Sequence, residues 1–289
     1  MSSSVGVVGL GQIGGGIALA LEAQGVSPFT HDADPTAHSR LGLGRSDEGS
    51  ARAVAARSDV VLVAVVDDGQ VREVIAGPEG ILAAGEPPAI VAILSTVSVG
   101  TIAWAVETGA VSNVDVLDCG VSGGPEAAAA GDLVCLVGGE RQAFERALPV
   151  LELFSSLVAY FGPPGSGIRA KLARNLVTYG GWLVAWEAAG LLGRDRDAVA
   201  QLAAVVRASD QATGGLMQLV AQGVGLVDAG DPAAEPGIPR ELREHGARLA
   251  HKDLAAALDL ARSLGLELPL AGLAEERLEL MLGLEQEDG

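Results

Sequence analysis

The sequence predicts an α/β fold in two parts: an N-terminal Rossmann-type, doubly wound parallel sheet over residues 1–162 and a C-terminal all-α domain over residues 163–289. Three observations carry this. Short β-branched runs alternate with Ala-rich, helix-length segments through the first half. A strand, a G-x-G-x-x-G turn and a helix open the chain. Beyond Gly162-Pro163-Pro164-Gly165 the strand-like runs stop and helical periodicity takes over. A length of 289 residues suits two domains, and 49 % hydrophobic residues suffice to fill their cores.

The elements follow in order. Val5–Val8 reads as the first strand, residues 14–24 as a helix and Phe29–His31 as a second strand. Residues 60–66 and 90–94 are continuous apolar runs without polar alternation, the pattern of central strands covered on both faces, and 114–118 reads as a further strand. Residues 133–137 and 158–161 complete the strands. Helix-length spacers between them imply right-handed βαβ units. The second half reads as helices over 166–192, 196–209, 211–222, 239–264 and 269–282, with a polar loop at 225–237 and a frayed tail at 285–289.

Composition removes several classes of function. With 19 basic and 37 acidic residues the formal net charge is −18, which argues against nucleic-acid binding and against an anionic membrane surface as partner. A small anionic substrate stays compatible, since local dipoles and a few cations outweigh net charge. Cys119 and Cys135 lie in apolar runs with no CxxC and no paired His, so neither a disulfide framework nor a metal site is expected. No basic leader follows Met1 and no uncharged apolar run approaches ~18 residues. The expected setting is the cytoplasm.

The cations are uneven: of the 19, only Lys171 and Lys252 are lysines. A chain that uses Arg elsewhere keeps Lys where Arg cannot serve, because Lys alone can shed its proton. Lys171 and Asn175 stand four residues apart and share a helix face. The flanks of Lys171 (Ile168, Ala170, Leu172, Ala173) are apolar, which lowers an amine pKa toward the range of general acid/base work.

In the opening motif Gly9 makes the tight turn, Gly11 admits a pyrophosphate to the backbone and Gly14 lets helix and strand pack closely. Asp32, 18 residues after Gly14, is placed to accept bonds from a ribose and repel a 2′-phosphate, which favours NAD over NADP. Asp34 competes for that role, and the nearby Arg40 offers a phosphate contact that keeps NADP possible. Further loops at strand ends are 67–70, 95–98 and 119–124, of which Ser122-Gly123-Gly124 has the makings of a carboxylate cradle.

Taken together, these blocks resemble the β-hydroxyacid dehydrogenase family, which includes 3-hydroxyisobutyrate dehydrogenases, tartronate semialdehyde reductases and, more distantly, 6-phosphogluconate dehydrogenase. The family's G-L-G-x-M-G matches Gly9-Leu10-Gly11-Gln12-Ile13-Gly14, with Ile for Met, and its S-T loop matches Ser95-Thr96. Its D-x-x-V-S-G-G block matches Asp118–Gly124, its G-x-x-x-K-x-x-x-N block Gly167, Lys171 and Asn175, and its K-D-L Lys252-Asp253-Leu254. The resemblance implies hydride transfer between a nicotinamide cofactor and a small β-hydroxy acid or semialdehyde. It implies Lys171 as catalytic residue, and Ser122, Gly123, Gly124 and Asn175 as substrate ligands. Gly9 to Gly14, Asp32, Val66, Gln70, Thr96 and Lys252 are the implied cofactor contacts, with a homodimer or homotetramer as the assembly. Two departures keep the substrate open: many members have a Leu-Pro pair after the fourth strand, where this chain has Val65-Val66-Asp67-Asp68, and the aromatic residue seven positions before K-D-L is His245 here. Alternatives are an imine reductase-like enzyme, against which Lys171 speaks because that branch generally lacks the lysine, and a non-catalytic dinucleotide-binding protein. With three Trp, two Tyr and four Phe, a broad aromatic pocket is not expected, although Tyr179, Trp182 and Trp186 can line a small one.

Overall fold

The computed structural model describes residues 3–45, 47–213, 215–221, 224 and 237–284. Seven strands, β1 (Val5–Val8), β2 (Phe29–His31), β3 (Val60–Val63), β4 (Ile90–Ile93), β5 (Asp115–Ser122), β6 (Leu133–Gly138) and β7 (Ser155–Gly162), form one sheet in the order β2-β1-β3-β4-β5-β6-β7. The strand order reverses at β1/β3, the switch point where such sheets open a crevice at their carboxyl ends. Alternate residues of each apolar run feed two separate cores. Val5, Val7, Val60 and Leu62 enter one, and Val8, Val61 and Val63 the other.

The sheet is parallel with one exception: β6 runs antiparallel to β5. Residues 123–132 join them, carrying only the two-turn helix Gly124–Ala130. A parallel crossover needs a dozen or more residues, so this connection folds back instead. A second difference follows. β5 does not end at Asp118 but continues to Ser122, which pairs with Val134, so most of the expected 119–124 loop is strand. The apolar run 60–66 outlasts its strand, because the Ser95 hydroxyl donates to the Val65 carbonyl and accepts from the Val65 N–H. That side-chain clip takes the place of a ladder partner.

Contacts divide the chain into two compact units, Met1–Leu176 and Val177–Gly289. The division falls inside the long helix Ser166–Leu191, later than the Pro/Gly cluster at 162–165. The first turns of that helix lie against the sheet. At Gly167 a Cβ would stand 2.5 Å from the carbonyl oxygens of Asp118 and Leu136.

The second unit continues through helices Arg196–Thr213, Arg240–Ser263, Pro269–Glu276 and Leu278–Met281. The helix expected over 211–222 is in fact the tail of the Arg196 helix, then a tight turn at Gly215–Met217 and a short helix Gln218–Ala221. Gly215, at φ 69°, takes the left-handed conformation that ends a helix. The expected loop lies outside the described residues except for Gly237, and the tail 285–289 lies wholly outside them. Among the described residues no helix is long and apolar enough to cross a membrane, and no three His, Cys, Asp or Glu group as metal ligands.

Candidate active site

A cleft of about 870 Å³ opens at the carboxyl ends of β1, β2 and β3, walled by Gly9, Gly11, Asp32, Asp34, Val66 and Gln70 among others. Each glycine of the turn has its own reason. Gly9 sits at φ 93°, and a Cβ there would overlap the Ala64 backbone. A Cβ on Gly14 would overlap the Gly9 carbonyl, so strand and helix meet with no room for a methyl. Gly11 differs: its φ is −66°, and no protein atom lies within 4 Å of where a Cβ would stand. The fold does not require glycine there; room on the cleft side does. Gly11 is also the N-cap of helix Gln12–Ala23 and supplies no side-chain cap, leaving first-turn N–H groups available to an anion. These features fit a dinucleotide pyrophosphate.

Asp32 is built into this turn. One carboxylate oxygen accepts from Leu10 N at 2.5 Å and the other from Asp34 N at 2.7 Å. Each oxygen keeps a further lone pair for a ribose hydroxyl. Asp34 serves the turn: it accepts from Thr36 N and Oγ1, which hold its carboxyl below the usual range, and its other oxygen is 3.5 Å from Arg40. Leu10 is buried, Ile13 half-buried and Gln12 exposed. Of the six motif residues Gly9 and Gly11 line the cleft.

On the far wall Val66 is exposed, while the Gln70 side-chain carbonyl accepts from Val66 N and Asp67 caps Gln70 N. Asp68 accepts from Ser98 N and Oγ, which pulls its carboxyl down to about 2 and ties the 67–70 and 95–98 loops together. Thr96 is exposed, between Ser95, held by Val65, and Ser98, held by Asp68.

The lysine lies farther across the sheet, against the carboxyl-terminal part of β5. Lys171 is buried, and burial, then the Arg174 charge, holds its amine below the ordinary lysine value. A Cβ on Gly120 would stand 2.5 Å from Lys171 Cβ, so the lysine stem rests on the segment that leads to Ser122, Gly123 and Gly124. Gly123 (φ 130°) and Gly124 (φ 79°) both adopt conformations that favour glycine. Asn175, one turn beyond Lys171, is half-buried, with its side-chain oxygen 3.4 Å from Arg174 Nη1. Lys252 belongs to the second unit, exposed on helix Arg240–Ser263 with Nζ 3.2 Å from Asp253. His245 is exposed on the same helix.

Asp118 carries more than the motif reading gave it. It is 1 % exposed, and its two oxygens accept from Gly165 N (2.8 Å) and Ile168 N (2.7 Å) at the start of the lysine helix. The available signal was a carboxylate flanked by the apolar residues Val116, Leu117 and Cys119.

Known proteins are similar to this chain in sequence and fold. Residues 4–162 match the NAD binding domain of 6-phosphogluconate dehydrogenase. An uncharacterized oxidoreductase of Mycobacterium tuberculosis (strain H37Rv) is 36 % identical over 247 residues, covering 83 % of this chain and 82 % of the relative. The chain belongs to the β-hydroxyacid dehydrogenase family. Within the family, a solved putative oxidoreductase from Mycobacterium avium 104 has TM-score 0.84 at 31 % identity, covering 99 % of this chain and 100 % of the other. The 3-hydroxyisobutyrate dehydrogenase of M. tuberculosis with L-serine has TM-score 0.64 at 25 % identity, covering 96 % and 93 %. An imine reductase from Myxococcus stipitatus shares the fold, with TM-score 0.71 at 16 % identity over 96 % of this chain and 93 % of the other.

Proposed function

We propose that the protein is an NAD-dependent dehydrogenase of a small β-hydroxy acid, or in reverse a reductase of the matching semialdehyde. The observation that carries this is Lys171: a buried residue whose amine is held below its ordinary pKa and whose stem rests against Gly120 on the strand leading to Ser122-Gly123-Gly124. In this reading the Ser122 hydroxyl and the backbone N–H groups of Gly123 and Gly124 hold the substrate carboxylate. Lys171, neutral, takes the hydroxyl proton, and in reduction returns it. Asn175, on the same helix face, orients the hydroxyl. A bound nicotinamide dinucleotide supplies the hydride acceptor or donor. Gly9 to Gly14 and Asp32 would hold its pyrophosphate and ribose, with Val66, Gln70, Thr96 and Lys252 as further contacts. The shared fold of imine reductases keeps a C=N substrate as the rival, and the titratable lysine favours the hydroxy acid.

The choice of NAD over NADP rests on charge. Asp32, Asp34, Glu48, Glu73 and Glu79 face the cleft, and none of the described residues lining it is Lys or Arg. A 2′-phosphate would meet the Asp32 and Asp34 carboxylates after β2 with no Lys or Arg among the described lining residues to offset them. Arg40 is occupied by Asp34 instead. Two buried free thiols, Cys119 and Cys135, suit the reducing cytoplasm. The helical part, residues 163–289, would form the subunit contact of a homodimer or homotetramer, supported by the exposure of Tyr179, Trp182 and Trp186.

The test is NADH formation across short β-hydroxy acids, with NADP and a panel of cyclic imines in parallel. Lys171→Arg should keep NADH binding and lose turnover by about 10²–10⁴-fold. Near-normal turnover would remove the lysine from proton transfer, preference for NADP would remove the role given to Asp32, and faster turnover of imines would favour the rival.

A further inference from the structure

Asp118 is a buried carboxylate that the proposed proton transfer does not use. It faces no cation among its hydrogen-bond partners; both oxygens are consumed by backbone N–H groups of Gly165 and Ile168. Burial raises its carboxyl pKa and those N–H bonds pull it back, so the bonds are what make an ionised side chain tenable there. A strand residue thereby grips the first turn of a helix.

The grip is repeated at two further points. Gly167 approaches so closely that a Cβ would be 2.5 Å from Asp118 O, and a Cβ on Gly138 would be 2.6 Å from both Asp118 Oδ1 and Gly167 N. Two residues along β5, Gly120 meets the Lys171 stem. The spacings match. From Asp118 to Gly120 the strand advances about 6.6 Å. From Gly167 to Lys171 the helix advances about 6 Å. Strand and helix are in step over this interval, and fixing one end sets the other.

We propose that Asp118 is a positioning residue that sets where the Lys171 amine stands over the Ser122–Gly124 segment. This rests on the reading of Lys171 as the proton-transfer group. Loss of one acceptor frees the helix start to turn or lift, carries Lys171 off Gly120 and admits water to its amine.

The test uses the full-length protein with NAD and the best hydroxy acid of the panel. Asp118→Asn keeps the shape of the side chain but leaves one backbone N–H facing an amide N–H. The expected result is a kcat lower by about 10²-fold, KM and NADH affinity within about threefold, and the ascending limb of the pH profile moved to higher pH as the amine regains water. Gly120→Ala displaces Lys171 without touching the Asp118 bonds, and is expected to give the same signature. A lowered melting temperature with kcat and pH limb unchanged would make Asp118 merely structural and overturn the proposal. If Asp118→Asn does not fold, Asp118→Ser, which keeps one acceptor in a smaller side chain, decides, and unchanged kcat and pH limb there also overturn the proposal. Failure of the underlying reading looks different: Lys171→Arg would then retain turnover.

Discussion

The two units are held together by different means. The first buries both faces of its sheet, and its closest approaches are made by glycines: Gly14 on the Gly9 carbonyl, Gly167 on Asp118, Gly120 on Lys171. Its polar groups are sealed by short bonds to backbone, as with Asp118 and Ser95. In the second unit, among the described residues, the cluster of buried apolar side chains is small: Val224, Ala247, Leu278 and Leu282. Charged side chains clamp backbone instead. Glu187 accepts from Leu270 and Ala271 N–H, and Arg243 donates to the carbonyls of Ile238, Leu282 and Gly283. Large apolar side chains stay outside, with Trp182 66 % and Val205 61 % exposed. Packing without slack holds reacting groups to fractions of an ångström, whereas clamps hold helices together and leave large apolar side chains exposed.

The largest effect should come from breaking the glycine packing of the first unit. Gly14→Ala forces a methyl into the Gly9 carbonyl, where neither backbone can yield cheaply. The expected loss is about 3 kcal/mol, read by denaturant unfolding, together with loss of NADH binding. Gly11→Ala is the control three residues away. No protein atom opposes its methyl, so stability should fall by no more than about 1 kcal/mol, the cost of a poorer N-cap. NADH affinity should still drop tenfold or more. Equal NADH binding by Gly11→Ala and the parent would mean that the cleft does not hold a pyrophosphate at this turn.

Much of this first unit is legible in the sequence because its rules are local. Strand, G-x-G-x-x-G and helix sit within residues 5–23, and Lys171 with Asn175 needs only one helical turn. What escapes is what depends on contacts distant in sequence. The antiparallel turn of β6 follows from a connection too short to cross over, and the early end of β3 from Ser95, 30 residues away. The grip of Asp118 on a helix start 47 and 50 residues later is visible only once β5 and that helix are side by side. The helical unit is read less well for a related reason: its helices are right in kind, but the clamps that order them are single charged residues with no periodic signature.

The clamp at Glu187 comes next in size. It is 4 % exposed and supplies both acceptors for the start of helix Pro269–Glu276. Glu187→Ala should cost about 1–3 kcal/mol, since two N–H groups lose their partner. Glu187→Gln, retaining one acceptor, should cost about half of that. NADH binding should survive both, because the change lies outside the cleft residues. A substitution cost near zero would mean that water replaces the carboxylate and that the clamp does not order the second unit.

A smaller effect is expected at Asp68, which joins two loops of the first unit. Its carboxyl is pulled from 3.8 to about 2, chiefly by the Ser98 hydroxyl. A depressed folded pKa contributes stability that is present above the unfolded value and lost as pH falls through the folded one. Asp68→Asn should therefore lower the melting temperature by a few degrees at pH 7, and the gap to the parent should close between pH 4 and pH 2. A gap that persists at pH 2 would show that the amide disturbs the Ser98 contact by shape rather than by charge.

The smallest effect belongs to the second unit and has the opposite pH sense. The His251 ring lies 2.5 Å from Glu279 and 3.4 Å from Glu275, and the Glu279 hydrogen bond raises its pKa while His251 lowers that of Glu279. The raised histidine contributes stability that is complete below 6.5 and lost as pH climbs through its folded value. The lowered glutamate contributes above 4.5 and loses its share as pH falls. The pair is therefore at full strength between about pH 4.5 and 6.5, and as an exposed ion pair it is worth little. His251→Gln should shift the melting temperature by about a degree at pH 5.5 and by nothing measurable at pH 9, read by thermal scans at fixed protein concentration. A shift of equal size at both pH values would assign His251 to packing, and the second unit would then lean less on charge than its clamps suggest.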